Sequence, residues 1–295
     1  MHDILYDFSE TELVRTTIKA NWENYHYCLG RSPSVELSAG RYLTWLVTTM
    51  PDHFMNLVVC TELPQIGVDE LINNALNHFR SLNVRKLSWL AEEGVPAEEM
   101  KKHLTSNGLT FRESFAIEMA IDLSVLPENI SLPDGLQIVS VEDELTLRKW
   151  IHVASIGFGV SREAENIWFD FFNYVACGPP FRTYIALLNN EPVGTSQLFT
   201  SAGVAGIYNV SCVPEARGMG VGTAVTLMPL LEARKLGYRV GILQASQMGY
   251  KVYRRLGFQD FGKLSVFLWE NETNTQYNNS EKSPEIANHQ KADSP

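Results

Sequence analysis

The stretch VPEARGMGVGTAV, residues 213–225, decides how the chain is read. It follows an apolar run, VAGIYNVSC, and opens a segment in which Val221, Ala224, Val225, Leu227, Met228 and Leu231 recur at helical spacing. Gly218, Gly220 and Gly222 therefore stand at a strand-to-helix junction. Glycines there let the backbone approach a ligand closely, and the N–H groups of a helix N-terminus attract anions. Arg217 adds a full positive charge with a fork suited to phosphate. No Gly-Lys-Ser/Thr follows, and the glycines alternate instead of forming G-x-G-x-x-G, so neither common nucleotide loop is present. The glycines alone leave a phosphate cradle and a ligand-free tight turn both open.

Upstream of the junction, LQIVSV (136–141) reads as a strand and ELTLRKWIHVASIGFG as a helix closed by Gly157 and Gly159. SREAENIWFDFFNYV reads as a second helix with Ser161 as its N-cap. TYIALLNNEPVGTSQLFTSAG is a hairpin turning at Asn-Asn-Glu-Pro, and VAGIYNVSCVP is a third β-run. Downstream, Gly237 stops the glycine-initiated helix. YRVGILQA is a strand, MGYKVYRRLG a helix ended by Gly257, and FQDFGKLSVFLW a closing strand pair. The order βααβββαβαββ predicts a mixed sheet covered by helices.

Residues 217–222 fit the pattern Arg/Gln-x-x-Gly-x-Gly/Ala, and Tyr253, Gly257 and Phe258 fit Tyr-x-x-x-Gly-Phe at a matching distance. Together these resemble the coenzyme A-binding core of the GNAT N-acetyltransferases. The resemblance covers the second half of the chain and extends more faintly to the first. The whole chain is similar to tandem-lobed GNAT proteins with one degenerate half. The resemblance implies an α/β fold (an α+β mixed sheet) of two tandem GNAT-like lobes, each a mostly antiparallel sheet flanked by helices. It implies acetyl-CoA as co-substrate, no metal, and direct attack on the thioester by a primary amine of a small molecule, amino acid or peptide. A non-catalytic acyl-CoA-binding sensor or interaction module is the alternative.

By position in the motif, Val210, Cys212 and Val213 pair with the pantetheine arm, and Arg217, Gly218, Met219, Gly220, Val221, Gly222 and Thr223 hold the pyrophosphate. The resemblance makes Tyr253 the acid that protonates the departing thiolate, and places an oxyanion donor near Cys212. Many members carry a base on the strand that here holds Ile207, Tyr208 and Asn209, where no carboxylate stands. A water relayed from Tyr208 or Asn209 takes that role in this reading, with Glu165, Asp170 and His152 as other candidates by region. The aromatic run Trp168, Phe169, Phe171, Phe172 and Tyr174 divides between core packing and acceptor contact. Cys212 lacks a partnering histidine in the sequence and reads as a backbone or packing position.

The first half repeats the plan in reduced form. A helix is predicted over 68–83, a strand over Lys86–Ala91, a helix from Pro96 through PAEEMKKHLTSNG, and a closing strand pair in LTFRESFAIEMAIDL. Gly108 matches Gly257, whereas Leu104 stands where Tyr253 stands in the second half. Only QIGVD links MNLVVCTELP to the helix, so no phosphate cradle is expected there. The organisation expected is a degenerate lobe over 1–125, a linker over 126–135 rich in Pro and turn residues, an acetyltransferase domain over 136–270, and a disordered tail over 271–295.

Composition narrows the partners. With 45% hydrophobic and 20% charged residues the chain suits a globular fold with a real core. A net charge of -10 argues against nucleic acid, whose phosphates need clustered cations. The four cysteines, Cys28, Cys60, Cys177 and Cys212, form no C-x-x-C pair. No membrane-spanning run is expected, and the location expected is the cytoplasm, as a monomer or homodimer.

Overall fold

The computed structural model describes residues 4–48, 50, 53, 55–60, 64–91, 97–175 and 178–271, leaving aside the side chains of 97, 113–115, 163 and 175. The first half runs α1 (Thr11–Leu29), β1 (Val35–Ala39), β2 (Leu43–Thr48), β3 (Leu57–Cys60), α2 (Val68–Ser81), β4 (Lys86–Ala91), α3 (Ala97–Ser106) and β5 (Thr110–Asp122). The second half runs β6 (Leu136–Ser140), α4 (Glu144–Phe158), α5 (Glu165–Val175), β7 (Phe181–Leu188), β8 (Glu191–Ser201) and β9 (Val204–Cys212). It continues with α6 (Val221–Lys235), β10 (Val240–Ala245), α7 (Gln247–Leu256) and β11 (Gln259–Glu270).

All the strands among the described residues join one 11-stranded sheet in the order β1-β2-β3-β4-β11-β5-β10-β9-β8-β7-β6. Pairing is antiparallel except at β3–β4 and β9–β10, where a helix makes each crossover. The halves share a plan of three antiparallel strands (β1–β3 and β7–β9), a crossover helix, a parallel strand, a second helix and a last strand, with α1 ahead of it in the first half and β6, α4 and α5 ahead of it in the second. Those last strands are exchanged. β5 pairs with β10 of the second half from Val240↔Asp122 to Ala245↔Ile117, and β11 pairs with β4 of the first from Ser265↔Ala91 to Glu270↔Lys86. The predicted mixed, mostly antiparallel sheet in two repeated lobes is therefore present, with the two sheets fused into one.

The local signals explain most elements. β10, VGILQA, is buried along almost its whole length, which an interior strand with both faces covered requires. Asp143 caps α4 by accepting from the Thr146 N–H at 2.7 Å, and Gly159 closes it with φ +70°. Gly108 and Gly257 both have positive φ, as their shared role as helix stops demands.

Three expectations need correction, and one element was not foreseen. The closing strand pairs of both halves are single long strands, β5 and β11, with irregular register at Gly262 and near Leu264 in place of turns. Ser161 caps no bond with its side chain; it precedes a single 3-10 turn at Arg162–Ala164, and α5 begins at Glu165. Helix α1, for which no element was predicted, fills the N-terminal region. Asn271, assigned to the tail, is buried and donates to the Arg85 carbonyl at 2.8 Å, closing β11; residues 272–295 lie outside the described residues. So do Pro96 and Cys177.

The core follows the exchange. Tyr25 and Leu29 of α1 pack with Trp150 and with Trp168, Phe171 and Phe172 of α5, while Tyr253 and Phe258 pack with α6, β10 and β5. Helix α1 thus sits on the second half's strands. Asn21, fully buried, donates to the Ser201 carbonyl at 2.9 Å and accepts from the Tyr208 hydroxyl at 2.8 Å.

Candidate active site

Strands β9 and β10 are paired at Gly241↔Ala205 and Ile242↔Gly206 and then part. The backbone of residues 208–212 that faces β10 is left without a neighbouring strand, and such groups must find partners elsewhere. The cause is local. Between the pairs Gln197↔Tyr208 and Thr195↔Ser211, two residues of β9 stand opposite one of β8, a β-bulge that bends the strand. Asn209 takes the bulge with φ +52°, a conformation Asn tolerates better than other side chains. Its carbonyl accepts from Thr195 Oγ1 at 2.8 Å, and its Nδ2 donates to Tyr25 Oη at 3.0 Å and Gln197 Oε1 at 3.1 Å. A buried polar network therefore fixes the kink.

After β9 the chain makes a 3-10 turn at Pro214–Ala216 and enters α6 through Gly218 (φ +78°) and Gly220 (φ +81°). Space lies open where a Cβ would stand at Gly218 and Gly222, so the loop and the first turn of α6 present bare backbone. The first N–H groups of a helix lack intrahelical acceptors, and Gly220 offers no side-chain cap. Arg217 is exposed beside them and makes no ion pair among the described residues. These features fit a pyrophosphate. Val213 differs from its neighbours: its N–H already donates to the Val193 carbonyl at 3.0 Å and its carbonyl accepts from Ala216. Cys212 Sγ donates to the Val213 carbonyl at 3.4 Å, and burial raises its thiol pKa, so it is not activated as a nucleophile.

A cavity of about 440 Å³ fills the gap between the parted strands. It is lined by Tyr208, Asn209 and Val210 of β9, Leu243 and Gln244 of β10, Tyr253 of α7, and Trp22, Tyr25, His26 and Leu29 of α1, among others. Tyr253 and Leu243 belong to the core beneath α6, whereas Tyr25 belongs to the core beneath α4 and α5, so the cavity passes through the sheet. Tyr253 is buried and bonded to the Thr226 hydroxyl, and burial pushes its pKa up to about 12. Tyr208 stacks on Tyr25 with ring centres 3.9 Å apart, and burial raises its pKa well above the usual phenol value.

The regional base candidates stand elsewhere. His152 Nδ1 and Ser155 Oγ both bond Glu165, at 3.0 and 2.7 Å, and Asp170 is exposed; none lines the cavity. Trp168, Phe171 and Phe172 are fully buried core, Phe169 lies under the Arg148 guanidinium, and Tyr174 is exposed. Helix α1 is what the sequence reading missed. The spacing of Trp22, Tyr25, His26 and Leu29 places all four on one helical face, a signal visible in WENYHYCL. In the first half, β3 and β4 stay paired from Leu57↔Ser88 to Cys60↔Ala91, so no matching gap opens over those residues. Leu104, opposite number of Tyr253, is fully buried.

Residues 147–258 match the model of the acetyltransferase (GNAT) family. No curated protein sequence matches the chain. Among solved structures, a GCN5-related N-acetyltransferase from Kribbella flavida is similar over 87% of this chain and 98% of its own, with a TM-score of 0.64 at 15% identity. A tandem GNAT protein from the clavulanic acid biosynthesis pathway is similar over 90% and 95%, at 0.56 and 14%. A GCN5-related N-acetyltransferase from Sphaerobacter thermophilus gives 90% and 94%, at 0.56 and 14%. At these identities the likeness concerns the fold. Among the described residues no cluster suits a metal ion, and no helix is long and apolar enough to cross a membrane.

Proposed function

Residues 147–258 being a GNAT acetyltransferase domain, set in a chain with the fold of tandem GNAT proteins, we propose that the protein moves an acetyl group from acetyl-CoA to a primary amine. The observation that carries this reading is the parting of β9 from β10 directly ahead of the bare-backbone loop. Together they offer an extended arm-binding edge that ends at an anion site. In this reading the unpaired backbone at Val210 and Cys212 pairs with the pantetheine arm. Arg217 and the N–H groups from Gly218 to Thr223 hold the pyrophosphate.

The acceptor amine attacks the thioester carbonyl directly within the cavity. Tyr253 stays protonated at ordinary pH, since its pKa stands near 12, and donates a hydrogen bond to the departing sulfur. Full transfer to a thiolate of pKa about 8.5 would run uphill, so stabilisation of charge is its contribution. The Tyr208 hydroxyl donates to Asn21 and the Asn209 amide donates to Tyr25, so both side chains are held in place and shape the gap. The amine is that of a small molecule, amino acid or peptide.

The test is release of free coenzyme A from acetyl-CoA with a panel of amines. Arg217→Glu is expected to abolish coenzyme binding. Tyr253→Phe is expected to lower kcat by about 10- to 100-fold with coenzyme affinity kept within threefold. Full activity of Tyr253→Phe across pH would remove the tyrosine from the mechanism. Tight binding of acetyl-CoA with no turnover on any amine would favour an acyl-CoA sensor.

A further inference from the structure

The geometry points to His26, on the first half's helix α1, as the group that takes the proton from the acceptor amine. This rests on the acetyl-transfer reading above. The side chain is 8% exposed and lines the cavity that runs between the parted strands. Its Nδ1 lies 2.8 Å from the Trp22 carbonyl, an acceptor only, which makes Nδ1 the protonated nitrogen and Nε2 the bare one. Nε2 has no hydrogen-bond partner among the described residues. The ring is clamped by Trp22, with centres 4.0 Å apart, and by the edge of Tyr25, which itself stacks on Tyr208 of the site strand. Tyr25, His26 and Tyr208 thus form one packed unit on the α1 side of the gap, and Tyr253 lines the same cavity from the α6 side.

The step balances without another reactant. The amine nitrogen forms its bond to the thioester carbonyl carbon, and the nitrogen, now acidic, passes a proton to Nε2. The carbon–sulfur bond then breaks with its electron pair on sulfur, which accepts a hydrogen bond from Tyr253. His26 afterwards gives its proton to solvent. Burial holds the imidazole neutral, with its pKa brought down to about 4, so Nε2 is free to accept throughout the neutral range. Such a weak base does not strip a free ammonium, so the amine enters neutral. The titratable groups around the ring are Glu23, Tyr25 and Tyr27 on its own helix, His53 before β3, and Tyr208 and Tyr253 across the cavity.

His26→Gln keeps a donor for the Trp22 carbonyl and removes the basic nitrogen. The full-length variant is expected to bind acetyl-CoA as wild type does, to hold KM for the acceptor within threefold, and to lose about 100-fold or more in kcat. With an aromatic amine bearing an electron-withdrawing group, which stays neutral down to about pH 3 in water, wild-type kcat is expected to fall as pH drops through about 4. That limb should vanish in His26→Gln and persist in His53→Gln. A His26→Gln kcat within threefold of wild type, or a limb that follows His53, overturns the assignment. Absence of turnover by the wild type on every amine would instead sink the acetyl-transfer reading itself.

Discussion

His26 and Asn209 carry opposite kinds of strain on their environment. Asn209 relieves a backbone demand, because the bulge needs a left-handed residue and its amide then satisfies two buried oxygens. His26 imposes a cost on folding at low pH. Its folded pKa, about 4, lies below the unfolded value near 6.5, so the unfolded chain binds the proton first. Its neutral form supports stability fully above pH 6.5, and that support is lost as pH falls toward 4. The loss amounts to about 3 kcal/mol. Denaturant unfolding of wild type against His26→Gln across that window should show a shallower fall for the variant; parallel curves would mean that the ring is open to solvent. At this scale Arg217 and the glycines were legible because a short motif holds them together. Tyr25, His26 and Asn21 were not, since their meaning depends on Tyr208, Gln197 and Ser201, far away in the chain.

At the scale of elements, the seating of α1 on β9 determines the shape of the gap. Gly206 allows that seating: a Cβ there would stand 2.5 Å from Asn21 Oδ1 and 2.6 Å from the Tyr208 ring. Gly206→Ala is expected to cost about 1–3 kcal/mol and to weaken coenzyme affinity, because α1 must lift from the strand that frames the cavity. Thermal unfolding together with a coenzyme titration checks both parts. Gly157, whose Cβ would stand 2.5 Å from Ser211 Cβ, plays the equivalent part for α4. Elements with strong periodicity or flanking glycines, such as α6 and β10, were readable to within a few residues. The closing strands were not. Gly262 and the polar run before Ala116 look like turns in sequence, yet partners on both sides hold each as a single strand through a shift of register. Helix α1 hid for a related reason, since it buries Thr17, Asn21 and His26 on the face that sequence reading expects to be apolar.

For the molecule as a whole, exchange of β5 and β11 makes the halves interdependent. Without β5, β10 would expose an unpaired edge beside the site, and such edges invite aggregation. A fragment starting at residue 126 is therefore expected to be insoluble or unfolded, whereas the full chain unfolds in one cooperative transition by calorimetry. A soluble, coenzyme-binding fragment would show that the exchanged strands are dispensable. Duplication was visible in the repeated order of elements and in the matching of Gly108 with Gly257, but exchange was not, because a strand's sequence does not name its neighbours.

The two halves share one plan but differ at their parallel strands: β9 parts from β10, while β3 stays with β4 from Leu57 to Cys60. Titration calorimetry of the full chain with acetyl-CoA tests that difference most directly. One site per chain is expected, lost in Arg217→Glu and unchanged by substitutions at Leu104. Two equivalent sites, or one that survives Arg217→Glu, would contradict the account.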